Sequence, residues 1–471
     1  MPELKSTMRP AELLGWLTCI LIPAMVYCFA QVNDLPWAMT NFMVIFIAGI
    51  LMWVFRLVPE YVPAVFIMLA ITLLGLVPES VLLSGFASES FFLALSVFGL
   101  GAVVVQSRIF YRASLMILLH LPKRVILLQA LVFILGIFLT PIMTAQSSRV
   151  ALMAPFLDDL KKSADLKSKE SLINSLVCCA FQGAILFSAV FLTGKSSNFV
   201  LYGMFSKQMQ WQFSWFNWLV AGSFSGLLLG ISFFMLLKLQ FKTPKTLNVD
   251  IQNIRHELHR LGRLTIEEWA SLMAVIFLIV GLSTASIHHI SAAWLCFSIF
   301  FVLILFGVLG KKEFKQGINW PFLFYLGAII GIMRCVQEIG GDVLLVHHLS
   351  WLEDIAENSV TSFVIVVYFL GWIGSFILGT AAAPALLFTI LLPMAENAAI
   401  NPWLIAFVLL MSTEAWIFPY QSSYYLCYEE LMNLSGYSDL RPTLKMNFYF
   451  CFIRFIVIIF SLPFWRMMEI L

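Results

Sequence analysis

The apolar run over residues 172–204 is long enough to cross a bilayer, and it is broken from inside. It reads as helix as far as Leu192. Then Thr193, Gly194, Lys195, Ser196, Ser197 and Asn198 interrupt it, and apolar residues resume at Phe199. Irregular backbone at membrane depth is stable only where it is buried in protein or lines a polar cavity. A lysine at that depth is costly unless it faces such a cavity or a partner. This stretch alone predicts a membrane protein with a candidate ion or substrate site at the break.

Composition agrees. The chain is 61% hydrophobic and 11% charged, whereas about a quarter of a soluble domain is charged. That excludes an ordinary soluble enzyme. At about 20 apolar residues per crossing, the chain has room for about 11 spanning helices. The formal charge of +2 gives no reason to expect a nucleic-acid partner. Eight cysteines lie mostly in apolar runs without C-x-x-C spacing. They read as small buried hydrophobes rather than disulfide or metal ligands. Lys5 and Arg9 precede an apolar run over 13–30 with no A-x-A-like cleavage site, so that run reads as the first span.

In order, spans are expected near 12–30, 38–55 and 60–77, then from Phe91 through Val105 and on beyond Arg108. Residues 125–157 read as a re-entrant hairpin: an apolar arm, a polar tip at 144–149, and a second apolar piece too short to cross. The broken run follows, then a span near 213–238. Trp211, Phe213, Trp215, Phe216 and Trp218 open that span and read as interfacial anchors. Residues 241–268 are polar. Ile251, Ile254, Leu258 and Leu261 recur there at helical spacing beside Arg255, His256, His259, Arg260 and Arg263, which suits a helix lying on the membrane surface. Further spans are expected near 269–286, 290–309 and 320–336. The earlier pattern then recurs as a hairpin over 360–392 with its tip at Gly379 to Pro384. After it comes a broken run over 403–431, interrupted at Pro419, Tyr420, Gln421, Ser422 and Ser423, and a last span near 446–466.

Hairpin then broken helix, twice, is the pattern of transporters built from two repeats with discontinuous helices. The expected fold is therefore an all-α polytopic membrane protein of two inverted repeats. Its first half is 1–240, its cytoplasmic amphipathic linker 241–268, and its second half 269–471. Charge orients it. With the N-terminus cytoplasmic, one side collects Lys5, Arg9, Arg56, Arg108, Arg112, Lys123, Arg124, Lys161, Lys162, Lys167, Lys169, the basic linker, Lys311, Lys312, Lys315, Arg441 and Lys445. The other side holds Lys207, Arg466 and acids such as Asp34, Glu353, Asp354 and Glu357. This obeys the positive-inside rule only if both hairpins enter and leave on one side, which makes the halves inverted.

Phe191, Leu192, Thr193, Gly194, then Lys195, Ser196, Ser197 and Asn198 resemble the F-L-T-G-x-x-x-N form of the broken fifth helix in the divalent anion:sodium symporter family. Ala145, Gln146, Ser147, Ser148 and Arg149, followed by Pro155, fall where that family has its first Ser-Asn-Thr hairpin tip. The S-N-T-A-R form belongs to the branch of citrate/succinate antiporters and 2-oxoglutarate/malate translocators. Ala383, Pro384 and Ala385 align with the second Ser-Asn-Thr. Here the tips read Ala-Gln-Ser and Ala-Pro-Ala, and the second break has Gln421, Ser422 and Ser423 where the family has a proline-rich turn ending in Asn. The resemblance implies a multi-pass carrier in a bacterial inner (cell) membrane. It implies a homodimer, alternating access, and a small organic anion of di- or tricarboxylate type.

Exposed helix N-termini favour anions, and hydroxyls and amides there can donate to carboxylate oxygens. The candidate substrate-binding residues are Gln146, Ser147, Ser148, Arg149, Lys195, Ser196, Ser197, Asn198, Thr380, Ala383, Ser422 and Ser423. Arg149, Lys195 and Glu414 are the candidates for charge balance, with Glu414 neutralising Arg149 or Lys195 or carrying a proton. Arg334 with Glu338 reads as a pair one helical turn apart, and Arg454 as an interfacial or structurally paired arginine. No catalytic constellation, metal site or cofactor is expected, and sodium is not favoured. The expected activity is sodium-independent anion exchange. The alternatives are a sodium-coupled symporter, a cation/proton antiporter working through Glu414 and, more remotely, a non-transporting membrane sensor.

Overall fold

The computed structural model describes residues 10–33, 35–119, 124–163, 170–246, 251–341, 350–434, 437 and 440–471. Of the charges used to orient the chain, Lys5, Arg9, Asp34, Lys123, Lys167 and Lys169 lie outside the described residues. Within them the chain is helical, with no named strand and a single isolated bridge between Arg124 and Thr246. Among the described residues, eight helices are long and apolar enough to cross a membrane. Shorter apolar helices include Val125–Leu139, Glu170–Ile185, Ala382–Asn397 and Pro402–Thr413, the hairpin arms and half-helices that the sequence pattern predicts. The chain is a polytopic all-α membrane protein.

It divides into two compact units. One comprises Met1–Phe91, Val200–Phe205 and Trp320–Leu409. The helix Trp320–Glu338 approaches Leu82 and Gly85 so closely that a Cβ at Gly327 or Gly331 has no room. Gly379 breaks the run Val360–Asn397 with φ +83°, a conformation open to glycine. The chain folds back there, because Gly374 faces Ala383 and Leu387. This is the second hairpin, with Thr380 half-buried and Ala383 buried near its tip.

The other unit comprises Phe92–Phe199, Ser206–Asn319 and Leu410–Leu471. The run expected to continue past Arg108 instead stops at Gln106. Arg108 has φ +56°, and a new helix, Ile109–Leu119, begins after it. Arg112 in that helix is buried, pairs with Glu268 at 2.8 Å, and donates to the carbonyls of Leu261, Gly262 and Arg263. This ties down the end of the amphipathic helix Ile251–Leu261. The first hairpin has arms Val125–Leu139 and Gln146–Ser163. Its first arm lies directly on Glu170–Ile185: a Cβ at Gly136 would strike Gly183 and Ala184 backbone, and one at Gly183 would strike Phe133. The helix Trp215–Gln240 meets the last helix, Arg441–Met467, through a Ser225–Ser461 hydroxyl pair at 2.7 Å and a Trp465 Nε1 bond to Ala221 O at 2.9 Å.

Candidate functional site

Both broken helices end earlier than their apolar runs. The first stops at Ile185, not Leu192, and restarts at Ser196 after a 3-10 turn over Leu192–Gly194. The second stops at Thr413, not Phe418, and restarts at Ser423 after a 3-10 turn over Pro419–Gln421. Hydropathy is blind to these endpoints because the unwound residues are themselves apolar. What stabilises them is a set of donors brought from elsewhere to the freed carbonyls. Asn198 Nδ2 donates to Ser188 O and Phe191 O, both at 2.8 Å. Trp218 Nε1 donates to Ala189 O at 3.0 Å, and Trp215 Nε1 to Thr193 Oγ1 at 3.1 Å. At the second break, Trp416 O accepts from Asn447 Nδ2 at 2.7 Å and from Cys451 Sγ at 3.2 Å. Gln421 Oε1 accepts from the backbone of Ile417 and Phe418.

These contacts correct the anchoring role expected for the aromatic cluster. Trp211 and Phe216 are exposed and fit it, but Phe213, Trp215 and Trp218 are buried, the two tryptophans supporting the break. They also make Asn198 a bracing residue. We expect Asn198→Ala, which leaves the buried Ser188 carbonyl without its donor and removes one of two donors to Phe191 O, to lose about 1–3 kcal/mol of stability. Thermal unfolding measures this, and an unchanged unfolding temperature would contradict the bracing role.

The first hairpin tip is stitched to the first break. Thr144 Oγ1 donates to Thr193 O, and Thr193 Oγ1 donates back to Pro141 O. Arg149 is fully buried between them. Its guanidinium donates to Thr140 O, Met143 O and Gly194 O, and to Ser188 Oγ at 2.8 Å. Arg149 therefore does not pair with Glu414, the partner offered for it from the sequence.

Lys195 takes that carboxylate instead. Its Nζ lies 2.9 Å from Glu414 Oε1 and 2.9 Å from Leu410 O, the latter among the last carbonyls of Pro402–Thr413. Glu414, which stands inside the break, also accepts from Gln146 Nε2 at 3.2 and 3.3 Å and from Tyr424 OH at 3.0 Å. Trp416 Nε1 donates to the Tyr424 hydroxyl at 2.7 Å. Gln146 reaches Ser188 as well, so one polar network links the hairpin tip and both breaks.

Arg454, on the last helix, is 2% exposed and has no carboxylate within ion-pairing distance among the described residues. Its Nη1 lies 3.9 Å from Met411 Sδ, a weak acceptor, and its Nε has no partner. The interfacial or structurally paired role expected for it is not what the fold provides. Arg334 and Glu338 are both exposed and do not pair. Among the described residues, the buried charges in this unit are then Arg112 with Glu268, and Arg149, Lys195 and Arg454 with Glu414 alone. Two positive charges are left over.

The remaining candidates of this unit differ in burial. Ser147 and Ser423 are exposed, Gln146, Ser148 and Ser196 are half-buried, and Ser197, Asn198 and Ser422 are buried. Ser147 and Ser148 sit in the first turn of Gln146–Ser163, Ser196 begins Ser196–Met204, and Ser423 begins Ser423–Leu434. A cavity of about 320 Å³ opens on the tip, lined by Thr144, Ala145 and Ser148 and, opposite, by Gln106, Lys312 and Gln316. Thr380 and Ala383 belong to the other unit. Sequence reasoning missed Ser188, Tyr424 and the bracing tryptophans. A faint signal for Arg454 existed: it follows Asn447 and Cys451 at positions that share one helical face.

Residues 11–471 match the family model described as the sodium:sulfate symporter transmembrane region. The chain is 21% identical to "Putative malate transporter YflS" of Bacillus subtilis (strain 168) over 367 residues, covering 76% of this chain and 75% of that protein. It is 20% identical to "Inner membrane protein YbhI" of Escherichia coli (strain K12) over 343 residues, 70% of each chain. With a family match over nearly its whole length and the broken-helix site in place, the chain belongs to the sodium:sulfate symporter family, the divalent anion:sodium symporters whose fifth-helix motif it resembles, and is an anion transporter rather than an enzyme.

Proposed function

We propose that this protein exchanges small organic dianions across the membrane by alternating access and without sodium. The observation that carries the reading is the buried charge count, in which Arg149, Lys195 and Arg454 face Glu414 alone among the described residues. Gln146, Ser147, Ser148, Ser196 and Ser423 form the contact layer, with Ser197, Asn198 and Ser422 behind it. Lys195, Arg149 and Arg454 supply charge, and Glu414 cancels one unit of it, leaving two. Thr380 and Ala383, in the other unit, are the candidates from the second hairpin. A dianion such as a dicarboxylate neutralises the cluster, in keeping with a relative named as a malate transporter.

The carbonyl arrangement argues for independence from sodium. A sodium ion needs free oxygens, and backbone carbonyls opened by a broken helix are natural ligands. Here those of Thr140, Met143 and Gly194 accept from Arg149, that of Leu410 from Lys195, and that of Trp416 from Asn447 and Cys451. A sodium ion beside either basic group would also be repelled by several kcal/mol at a low effective dielectric constant. Fixed charge then explains exchange. The empty carrier would have to move an unbalanced charge through a low-dielectric barrier, whereas the loaded carrier is neutral. The chain, built from repeat halves 1–240 and 269–471 joined by the linker 241–268, would pair with a second copy as a homodimer in a bacterial cell membrane, with the N-terminus cytoplasmic.

The test is uptake into proteoliposomes of labelled mono-, di- and tricarboxylates, sulfate and phosphate, with and without internal anion, in sodium or choline buffer. Dianion uptake should require internal anion and be at least tenfold faster with it, at equal rates in the two buffers. Sodium-dependent uptake into anion-free vesicles would overturn the exchanger reading.

A further inference from the structure

A second cavity, of about 800 Å³, lies at the base of the first hairpin, away from the tip. Four basic residues line it: Arg124 at the start of the hairpin, Lys238 in the last turn of Trp215–Gln240, and Lys242 and Lys245 in the strap that follows. None of the lining residues is acidic, and none of the four cations has an ion-pair partner among the described residues. All four side chains are exposed to solvent. The strap is held in shape by its backbone, since Val125 N donates to Lys245 O and Ser171 Oγ to Lys242 O. Ile126, Leu237 and Phe241 form an apolar wall, and Gln129, Thr243, Pro244 and Thr246 complete the lining. The wall continues outward onto Leu127 and Leu239, 49% and 81% exposed, on helices that are apolar on that side.

A cluster of cations over an apolar wall, where two helices leave the apolar layer, fits one kind of ligand: an anionic amphiphile. Lysines and arginines beside a membrane surface each attract anionic lipid by about 1 kcal/mol, and basic pockets between helices hold lipid headgroups. A soluble phosphate would satisfy the cations but leave the apolar wall without a role. We propose that this cavity binds the headgroup of an anionic phospholipid, its phosphate among Arg124, Lys238, Lys242 and Lys245, with an acyl chain along Ile126, Leu127 and Leu239. The floor gives the site a consequence. Gln129 lines the cavity and donates to Ser175 Oγ on Glu170–Ile185 at 2.8 Å. The lipid thus braces the junction between the hairpin arm and the first broken helix.

The experiment compares the detergent-purified protein with two matched variants, Lys238→Gln/Lys242→Gln and Lys311→Gln/Lys315→Gln, each lacking two exposed cations. Native mass spectrometry counts retained lipid, and thermal unfolding is followed with phosphatidylglycerol, phosphatidylcholine or inorganic phosphate added. The first variant should lose phosphatidylglycerol affinity about 30-fold, at about fivefold per lysine, together with its thermal protection. The control variant should keep both, and phosphatidylcholine and inorganic phosphate should protect neither the native protein nor the variants. Equal losses in the two variants would reduce the effect to general surface attraction and overturn the proposal. So would equal protection by phosphatidylcholine or by phosphate alone. Lys245→Gln, outside any helix, repeats the test should the double variant misfold.

Discussion

Lys195→Met should destabilise the protein by about 3–5 kcal/mol and reduce anion uptake at least 100-fold. The stability loss follows from burial. Lys195 and Glu414 are 3% and 4% exposed, and breaking a buried pair leaves a carboxylate without its counter-ion. Gln146 and Tyr424 still donate to that carboxylate but bring no charge. The transport loss follows from the charge count, because the cluster drops to a single excess positive charge. Lys195→Met/Glu414→Gln separates the two effects. It removes the pair entirely, keeps an acceptor for Gln146 and Tyr424, and returns the excess to two through Arg149 and Arg454. Its stability should come back to within about 1 kcal/mol of the native protein, since replacing a whole buried pair is often near neutral. Its uptake should recover to within about tenfold. Glu414→Gln alone adds a third excess charge, which should tighten dianion binding and slow exchange. Unfolding temperatures and proteoliposome uptake measure all three variants. A double variant that is stable yet as inactive as Lys195→Met would make Lys195 a direct ligand and overturn the balance argument.

The parts of this architecture that were legible in the sequence are those that hydropathy and turn chemistry control. Both hairpins and both breaks lie where polar residues interrupt apolar runs, and Gly379 marks the second fold-back because its φ favours glycine. Helix ends were not legible. Residues 186–191 and 415–418 are as apolar as any span, and they unwind because Asn198, Trp218, Asn447 and Cys451 reach their carbonyls across the fold. Such donors lie from 7 to 35 residues away in sequence, so no local pattern announces them. The tryptophans failed for a related reason. A membrane-interface belt and a buried indole donor look alike in composition, and only the burial of Trp215 and Trp218 tells them apart from Trp211. Glu414 was recognisable as a partner for one of the two cations, but which one depended on the side chains' paths. Arg149 turns to carbonyls of its own tip and break, leaving the carboxylate to Lys195.

Arg454→Met should abolish dianion uptake, a loss of at least 100-fold, while leaving the unfolding temperature unchanged or higher. An arginine that braces a fold shows the opposite pattern, as Arg112 illustrates with its carboxylate and three carbonyl acceptors. Among the described residues Arg454 has only a sulfur at 3.9 Å and an unpartnered Nε. A guanidinium taken out of water costs several kcal/mol when it lacks such partners, so its removal relieves the folded state. What keeps it tolerable is position. It lies beside Met411 in the last turn of Pro402–Thr413, where the negative end of the helix dipole favours a cation. Asn447 and Cys451 on the same face meanwhile hold the Trp416 carbonyl. The arginine is thus a buried charge whose missing counter-ion the substrate would supply. Arg454→Lys keeps the charge on a shorter donor set and should retain part of the uptake with weaker apparent affinity. Uptake kinetics together with thermal unfolding in the presence and absence of dianion check this. Substrate should stabilise the native protein and Arg454→Lys, but not Arg454→Met. An Arg454→Met protein that unfolds several degrees lower, with substrate protection intact, would assign Arg454 to the scaffold and leave the excess charge to Arg149 and Lys195.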